Sequence, residues 1–208
     1  MPSKTEAVRR EYDRLAKEYD HRWRPYINAT LDAVVSAARL SGNERLLDAP
    51  SGTGELERRL LERWPDIEIV GTDISRAMLE QAVGKSAACG PMWVQSDVRR
   101  LPFPAQSFDY AVCANSFHHF SSPDDSLREL RRVLQPNGTL LLVDWCDDYL
   151  VCKLCSLWLR WQDPAFHKAY SLANCESLLR QAGFDVERAI RFRVGLIWGM
   201  MSLVCRRR

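Results

Sequence analysis

Gly52 and Gly54, one residue apart, sit between a short apolar run, Arg45-Leu46-Leu47-Asp48, and a segment with helical spacing, Leu56-Glu57-Arg58-Arg59-Leu60-Leu61. The order is strand, glycine turn, helix. Glycines without Cβ let the backbone touch a ligand, and the helix start offers it unpaired N–H groups. The next apolar run, from Ile67, ends in Asp73, about twenty residues past the glycines, where an acid suits the two hydroxyls of an adenosine ribose. A dinucleotide site wants a third small residue, in the pattern G-x-G-x-x-G/A. Glu57 occupies that position, and with Glu55 nearby it would repel a pyrophosphate. The spacing points to an adenosine without phosphates.

These residues need a sheet to hold them. Met92 to Asp97 reads as a third strand, Ser107 to Ala114 as a fourth, and Thr139 to Asp144 as a fifth, a continuous apolar run suited to burial on both faces. Helices are expected over Lys4 to Asp20, Ala29 to Leu40, Arg76 to Ala82 after the N-cap Ser75, and Asp124 to Leu134. Gln135-Pro136-Asn137-Gly138 reads as a turn. A tryptophan-rich apolar helix over Asp148 to Trp161 follows, then a helix from Leu172 to Ala182 capped by Ser171 and stopped by Gly183. Phe184 to Glu187 and Leu196 to Val204 read as two closing strands. The class is α/β, doubly wound and mostly parallel, in one domain over residues 1–208.

Asp48-Ala49-Pro50-Ser51-Gly52-Thr53-Gly54 resembles the D-x-G-x-G-x-G signature of class I S-adenosylmethionine-dependent methyltransferases, above all the small-molecule group of the ubiquinone/menaquinone-biosynthesis type. Tyr12-Asp13-Arg14-Leu15-Ala16-Lys17-Glu18-Tyr19-Asp20 is similar to that group's Y/F-D-x-x-A-x-x-Y-D opening, and Leu127 to Gly138 to its L-x-E-x-x-R-V-L-x-P-G-G stretch. Pro50 stands where the family has its first glycine, removing an N–H and fixing φ, so the turn is open to alteration. The resemblance implies a seven-stranded, Rossmann-like sheet whose last strand is antiparallel, and S-adenosylmethionine as cofactor. It puts Asp48, Ala49, Ser51, Gly52, Thr53 and Gly54 in the cofactor turn, with Asp73 and Ile74 at the ribose. Asp97 would accept from the adenine amino group beside the backbone of Val98, and Asn115 would close the site after strand four. Met78 would lie against the adenine, although its spacing alone reads equally as core. The N-terminal helix, residues 1–28, would form a lid with Tyr19 lining the site, the plainer reading being a covering helix.

Methyl transfer from a sulfonium is an in-line displacement, so such an enzyme mainly aligns the nucleophile and excludes water. A base is needed only where the nucleophile must lose a proton. Of four histidines, His118 and His119 follow strand four, and Asp144 ends strand five on the same rim; His119 and Asp144 are the candidates for acceptor contact or base. In the family the segment after strand five, here residues 145–171, builds the acceptor pocket. Leu150, Trp158, Trp161, Phe166 and Tyr170 crowd it, which suggests an apolar, aromatic or lipid-like small molecule. A buried second helix is the competing reading.

A net charge of +2 leaves no nucleic-acid footprint, and Arg206-Arg207-Arg208 is expected as a solvated tail. No apolar run is long enough to cross a bilayer and no leader pattern opens the chain, so a cytosolic protein is expected. Seven cysteines without a regular framework read as reduced, mostly buried thiols. Cys152 and Cys155 lack a second pair at metal spacing, so no metal site is expected, and an arsenite-methylating enzyme is a minor alternative. A further alternative is a non-catalytic protein that keeps the fold and cofactor. The intact acids Asp48, Asp73 and Asp97 favour the enzyme.

Overall fold

The computed structural model describes residues 3–86, 90–163, 165–195 and 198–208. Its centre is one seven-stranded sheet in the order β3-β2-β1-β4-β5-β7-β6. The strands are β1 (Arg45–Asp48), β2 (Glu68–Asp73), β3 (Met92–Gln95), β4 (Phe108–Ala114), β5 (Leu134–Trp145), β6 (Phe184–Val194) and β7 (Trp198–Arg207). The first five pair in parallel, and β7 is antiparallel to both β5 and β6. The order reverses between β1 and β4, so their carboxyl ends open the crevice where ligands bind in such sheets.

Alternation along the central strands builds two cores. Leu140 and Leu142 face helices α5 (Pro123–Val133) and α7 (Leu172–Gln181), whereas Leu141 and Val143 face α2 (Tyr19–Ala37) and α3 (Glu55–Arg63). All four leucines and valines are fully buried, as a sheet covered on both faces requires.

Several elements depart from the sequence reading. The single N-terminal helix is two: α1 (Lys4–Leu15) ends before α2 begins at Tyr19. Pro25 lies inside α2, so the second helix expected from Ala29 starts ten residues earlier, at Tyr19. Packing of Ile27, Leu31 and Val34 on the sheet outweighs the hydrogen bond that Pro25 cannot donate. The turn at Gln135–Gly138 is a bulge inside β5, between the pairings Phe108 with Leu134 and Tyr110 with Thr139. Asn137 there takes φ 62°, the left-handed conformation expected of it. Residues 206–208 are no solvated tail: Arg206 bonds Glu187 and Thr139, Arg207 donates to the Leu134 carbonyl, and Arg208 pairs with Asp185. The last strand runs between two others, so its arginines reach partners on both. Leu196 and Ile197, expected in that strand, lie outside the described residues, as does Pro164 of the aromatic segment.

Candidate functional site

The glycine turn survives Pro50. Ser51 N–H donates to the Thr72 carbonyl at 2.7 Å, Gly52 N–H to Asp73 Oδ2 at 2.9 Å, and Gly54 N–H to the Ser51 carbonyl at 3.2 Å. Gly54 has φ 77°, and a Cβ on it would meet Trp93 at 2.7 Å, so close approach as well as conformation demands glycine. Gly52, at φ 55°, faces open space along the cavity wall.

That cavity, of about 140 Å³, lies over the crevice and is lined by Asp48, Ser51, Gly52, Thr53, Asp73, Ile74, Met78, Asp97, Val98 and Asn115. Tyr19 and His119 complete its wall. Ala49 and Gly54 do not line it: Ala49 is fully buried with its N–H on the Val112 carbonyl, and Gly54 caps α3. Met78 is 1% exposed, as its core reading expects, and also touches the cavity.

The electrostatics select a cationic ligand. Asp48, Glu55, Asp73 and Asp97 line the cavity, and Arg99 is the only Lys or Arg among its lining residues. Arg99 is itself engaged by Asp97 at 2.6 Å. Asp48 Oδ1 and Ser51 Oγ are buried without a hydrogen-bond partner. Burial pushes the Asp73 carboxyl up to about 6. Its Oδ1 also accepts from Ser75 N–H, so one side chain ties the glycine turn to the start of α4 (Arg76–Lys85).

Beneath the turn, Glu57 and Asp48 lie within hydrogen-bonding reach of each other, 1% and 2% exposed. Burial raises both, Glu57 to about 8, so the pair keeps a proton at neutral pH. The native state then binds a proton that the unfolded chain releases, and stability falls as pH rises from the ordinary Glu range through about 8. Glu57→Gln removes the share of this dependence that Glu57 carries, leaves that of the buried Asp48, and should be more stable than wild type at pH 9 by about 1–3 kcal/mol, the scale of one unsatisfied buried group. Urea unfolding at pH 6 and pH 9 measures it; equal pH dependence in both proteins would show that Glu57 is not a source.

The lid motif has five specified positions: Ala16 is buried at 3% exposure, and the other four make contacts at the crevice. Tyr12 Oη lies 2.6 Å from His119 Nε2, and Asp13 accepts from Ser75 Oγ at 2.7 Å. Tyr19 lines the cavity, while Asp20 accepts from Thr53 Oγ1 at 2.6 Å and pairs with Lys85. Yet no residue of α1 is fully buried, so polar contacts and the half-buried Tyr12 ring, packed on Tyr19 and His119, hold it across the crevice.

A second cavity, of about 230 Å³, adjoins the first and shares Tyr12, Tyr19, Asn115 and His119 with it. Its wall is aromatic: Trp23 and Tyr26 from α2, Trp145 from β5, Trp198 from β7, Trp158 and Phe166. The expected pocket residues divide. Trp158 and Phe166 line it. Tyr170 is core against Phe117, at 5.2 Å between rings, and Leu150 and Trp161 are exposed outside it, Trp161 by 91%. Trp161 is thus neither core nor pocket.

The two residues singled out as catalytic candidates also part. His119 lines both cavities, but its Nδ1 is 2.8 Å from the Ala165 carbonyl, so that nitrogen carries the proton and Nε2 accepts from Tyr12. Burial holds its pKa well below the usual histidine range, and the neighbouring His118 adds to the shift. Asp144 lines neither cavity. It is 1% exposed and accepts from the backbone N–H of His118 and Trp145, at 2.9 and 2.6 Å. Its Oδ1 also holds His118 Nδ1 at 2.6 Å. That contact assigns the neutral imidazole of His118 the tautomer with its proton on Nδ1, which leaves Nε2 as the acceptor. His118 lines the aromatic cavity and stacks on Trp145, with centroids 4.5 Å apart and planes 9° apart. Tyr26 Oη in turn accepts from Trp145 Nε1 at 2.7 Å and donates to Asn115 Oδ1 at 2.8 Å.

Of the two paired thiols, Cys152 contacts the Gly199 backbone and Cys155 lines the aromatic cavity. No cluster of metal-ligating residues occurs among the described residues.

Residues 47–142 match the family described as a methyltransferase domain. The chain is 37% identical over 115 residues to the demethylmenaquinone methyltransferase of Deinococcus radiodurans, covering 54% of this chain and 48% of that one. It is 32% identical over 147 residues to the ubiquinone/menaquinone biosynthesis C-methyltransferase UbiE of Syntrophotalea carbinolica, covering 64% and 59%. The chain thus spans about half the length of the curated relatives it matches. Among solved structures, the complex between the Haloferax volcanii Trm112 methyltransferase activator and a methyltransferase supplies a fold match with TM-score 0.85 and 18% identity, covering 94% of this chain and 97% of that one. The strand order, the glycine turn and its flanking acids agree with these likenesses, and residues 47–142 resemble the class I S-adenosylmethionine-dependent methyltransferases.

Proposed function

We propose that the protein is an S-adenosylmethionine-dependent methyltransferase acting on a small, lipid-like acceptor with an ionisable hydroxyl on an apolar ring. The observation that carries this is the pairing of an acid-lined cavity with an aromatic one across a shared wall at Tyr12, Tyr19, Asn115 and His119. The first suits the cofactor: Asp73 would take the ribose hydroxyls, Asp97 the adenine amino group, and Asp48 the cationic end. When bound there, S-adenosylmethionine supplies an activated methyl group on a sulfonium. The acceptor ring would lie among Trp23, Trp145, Trp158 and Trp198. His118 Nε2 would take the hydroxyl proton as a ring carbon attacks the methyl carbon and the methyl–sulfur bond breaks to leave a neutral thioether. The ring carbon's own hydrogen would then be lost as a proton to restore the aromatic hydroxyl, and Asp144 would hold the imidazole in the required tautomer. Closure of α1 through Tyr12 excludes water from the shared wall. The reduced, quinol form of the demethylmenaquinone in the names of the relatives belongs to this acceptor class. Arsenic capture would ask for three convergent thiolates, which Cys152 and Cys155 do not supply.

We place this activity in the cytosol; no helix among the described residues is long and apolar enough to cross a membrane. The test is a titration with S-adenosylmethionine followed by an acceptor assay. Cofactor at a hundredfold its Kd should raise the melting temperature by about 5–11 °C for a chain of this size. Labelled methyl should then pass to a naphthoquinol. Absence of any thermal shift would leave a scaffold without cofactor. A shift without transfer to any ring hydroxyl acceptor would retain the cofactor and reject the acceptor class.

A further inference from the structure

Helix α6 (Leu150–Gln162) is turned inside out. The side chains it buries are small, Cys152 at 1% and Ser156 at 6% exposure, and Cys152 contacts the Gly199 backbone. Its large apolar residues face the other way: Leu150, Val151, Leu154, Leu157, Trp158 and Trp161 are between 44% and 91% exposed. At 3.6 residues per turn those six fall in one stripe about 120° wide, opposite the Cys152–Ser156 face. A helix that only covered the fold would place leucine and tryptophan inward.

The charge within the helix has one sign. No acid occurs between Asp148 and Asp163 in the sequence, and the helix's charged residues are Lys153 and Arg160. Beside its N-terminus the edge strand β6 exposes Arg188, Arg191 and Arg193, with Arg193 over the Tyr149 ring at 5.0 Å. Of the acids that flank the helix, Asp148 is paired with Arg191, and Asp163, at the other end, accepts from Ala165 N–H. An apolar stripe with tryptophan, rimmed by lysine and arginine on a helix of about 20 Å, too short to span a bilayer, has the makeup of a helix lying in a lipid interface.

We infer that α6 docks the protein on an anionic lipid bilayer. Trp158 belongs both to the stripe and to the wall of the aromatic cavity, so docking sets the cavity mouth against the lipid. The docking stands on α6 itself; only the delivery of a lipid-like acceptor through that mouth rests on the proposed function. A second copy of the chain would bring the same cations face to face, whereas anionic headgroups complement them.

The full chain, mixed with phosphatidylcholine vesicles with or without phosphatidylglycerol, should co-sediment with the anionic vesicles and shift its tryptophan emission to the blue. Leu157→Ser with Trp161→Ser, both outside the cavities, should lower the partition coefficient about tenfold or more while leaving S-adenosylmethionine affinity and melting temperature unchanged. Lys153→Glu should weaken binding to anionic vesicles only. The inference is overturned by absence of vesicle binding, by equal binding to neutral vesicles, or by binding that survives the double substitution. It is equally overturned if the double substitution instead abolishes a concentration-dependent dimer in vesicle-free solution, which would assign the face to a second copy.

Discussion

His118→Ala should lower turnover by about 10²–10⁴-fold, the range for losing a positioned acid–base group, with little change in S-adenosylmethionine affinity. The asymmetry follows from geometry, because His118 lines the aromatic cavity alone. Asp144→Asn should cost nearly as much without removing the imidazole. An amide in place of the carboxylate sets an NH₂ against one of three donors, the His118 N–H, the Trp145 N–H or the ring Nδ1–H. The ring is then driven to the tautomer whose Nε2 carries the proton, and its base is lost. The losses should appear in kcat rather than in KM for the cofactor. A His118→Ala enzyme that retains wild-type turnover on its hydroxyl acceptor would show that the acceptor loses its proton to water.

His119, by contrast, connects lid and floor. Burial keeps the Tyr12 phenol protonated, since its pKa is pushed well above the usual tyrosine range, and the same burial keeps His119 neutral. Donor and acceptor thus stay matched across the 2.6 Å contact over the whole working pH range. Tyr12→Phe should leave turnover at saturating cofactor near wild type and speed cofactor release about fivefold to tenfold, about 1–1.5 kcal/mol for one hydrogen bond. Stopped-flow displacement of bound cofactor reads this directly. Unchanged release would mean that α1 stays closed without it.

Much of this site was legible because it is local. Gly52, Gly54 and the acids ending β1 and β2 act through short-range geometry that spacing records, and the structure brings Asp48, Asp73, Asp97 and Val98 to one cavity. The acceptor wall was less legible because it converges from four distant elements. Tyr19, Trp23 and Tyr26 do repeat at helical spacing along α2, but Pro25 breaks the pattern that would have joined them. His118 and His119 are adjacent, so no periodicity says which one faces the acceptor; a single 3-10 turn, Phe117–His119, decides it. The stripe on α6 misled for the opposite reason. Amphipathic spacing fixes that one face is apolar but not that this face turns inward. Only the burial of Cys152 and Ser156 reveals its direction.

Asp73→Ala should weaken S-adenosylmethionine binding by about 10- to 150-fold, from about 1.5–3 kcal/mol for a hydrogen bond to a charged group. On sequence grounds the residue served only the ribose; in the structure it also orders the turn, through Gly52 N–H at 2.9 Å and Ser75 N–H at 2.8 Å. Asp73→Asn is therefore no gentler, because its NH₂ must confront one of those donors. The pH dependence separates the two duties. With its pKa raised to about 6 by burial, Asp73 is protonated below that value and becomes a poorer acceptor for the ribose hydroxyls, so cofactor affinity should fall as pH drops through about 6. Its contribution to stability runs the other way. The folded state holds this proton at a pH where the unfolded chain has released it, so the free protein gains stability from Asp73 as pH falls from about 6 toward the ordinary aspartate range. Calorimetric titration and thermal unfolding between pH 5 and 7.5 should thus show affinity and free-protein stability moving in opposite directions in wild type, with the affinity trend flattened in Asp73→Ala and the stability trend reduced to the share of the Asp48–Glu57 pair. Affinity that is level across pH 6 in wild type would remove Asp73 from the ribose, whatever it does for the turn.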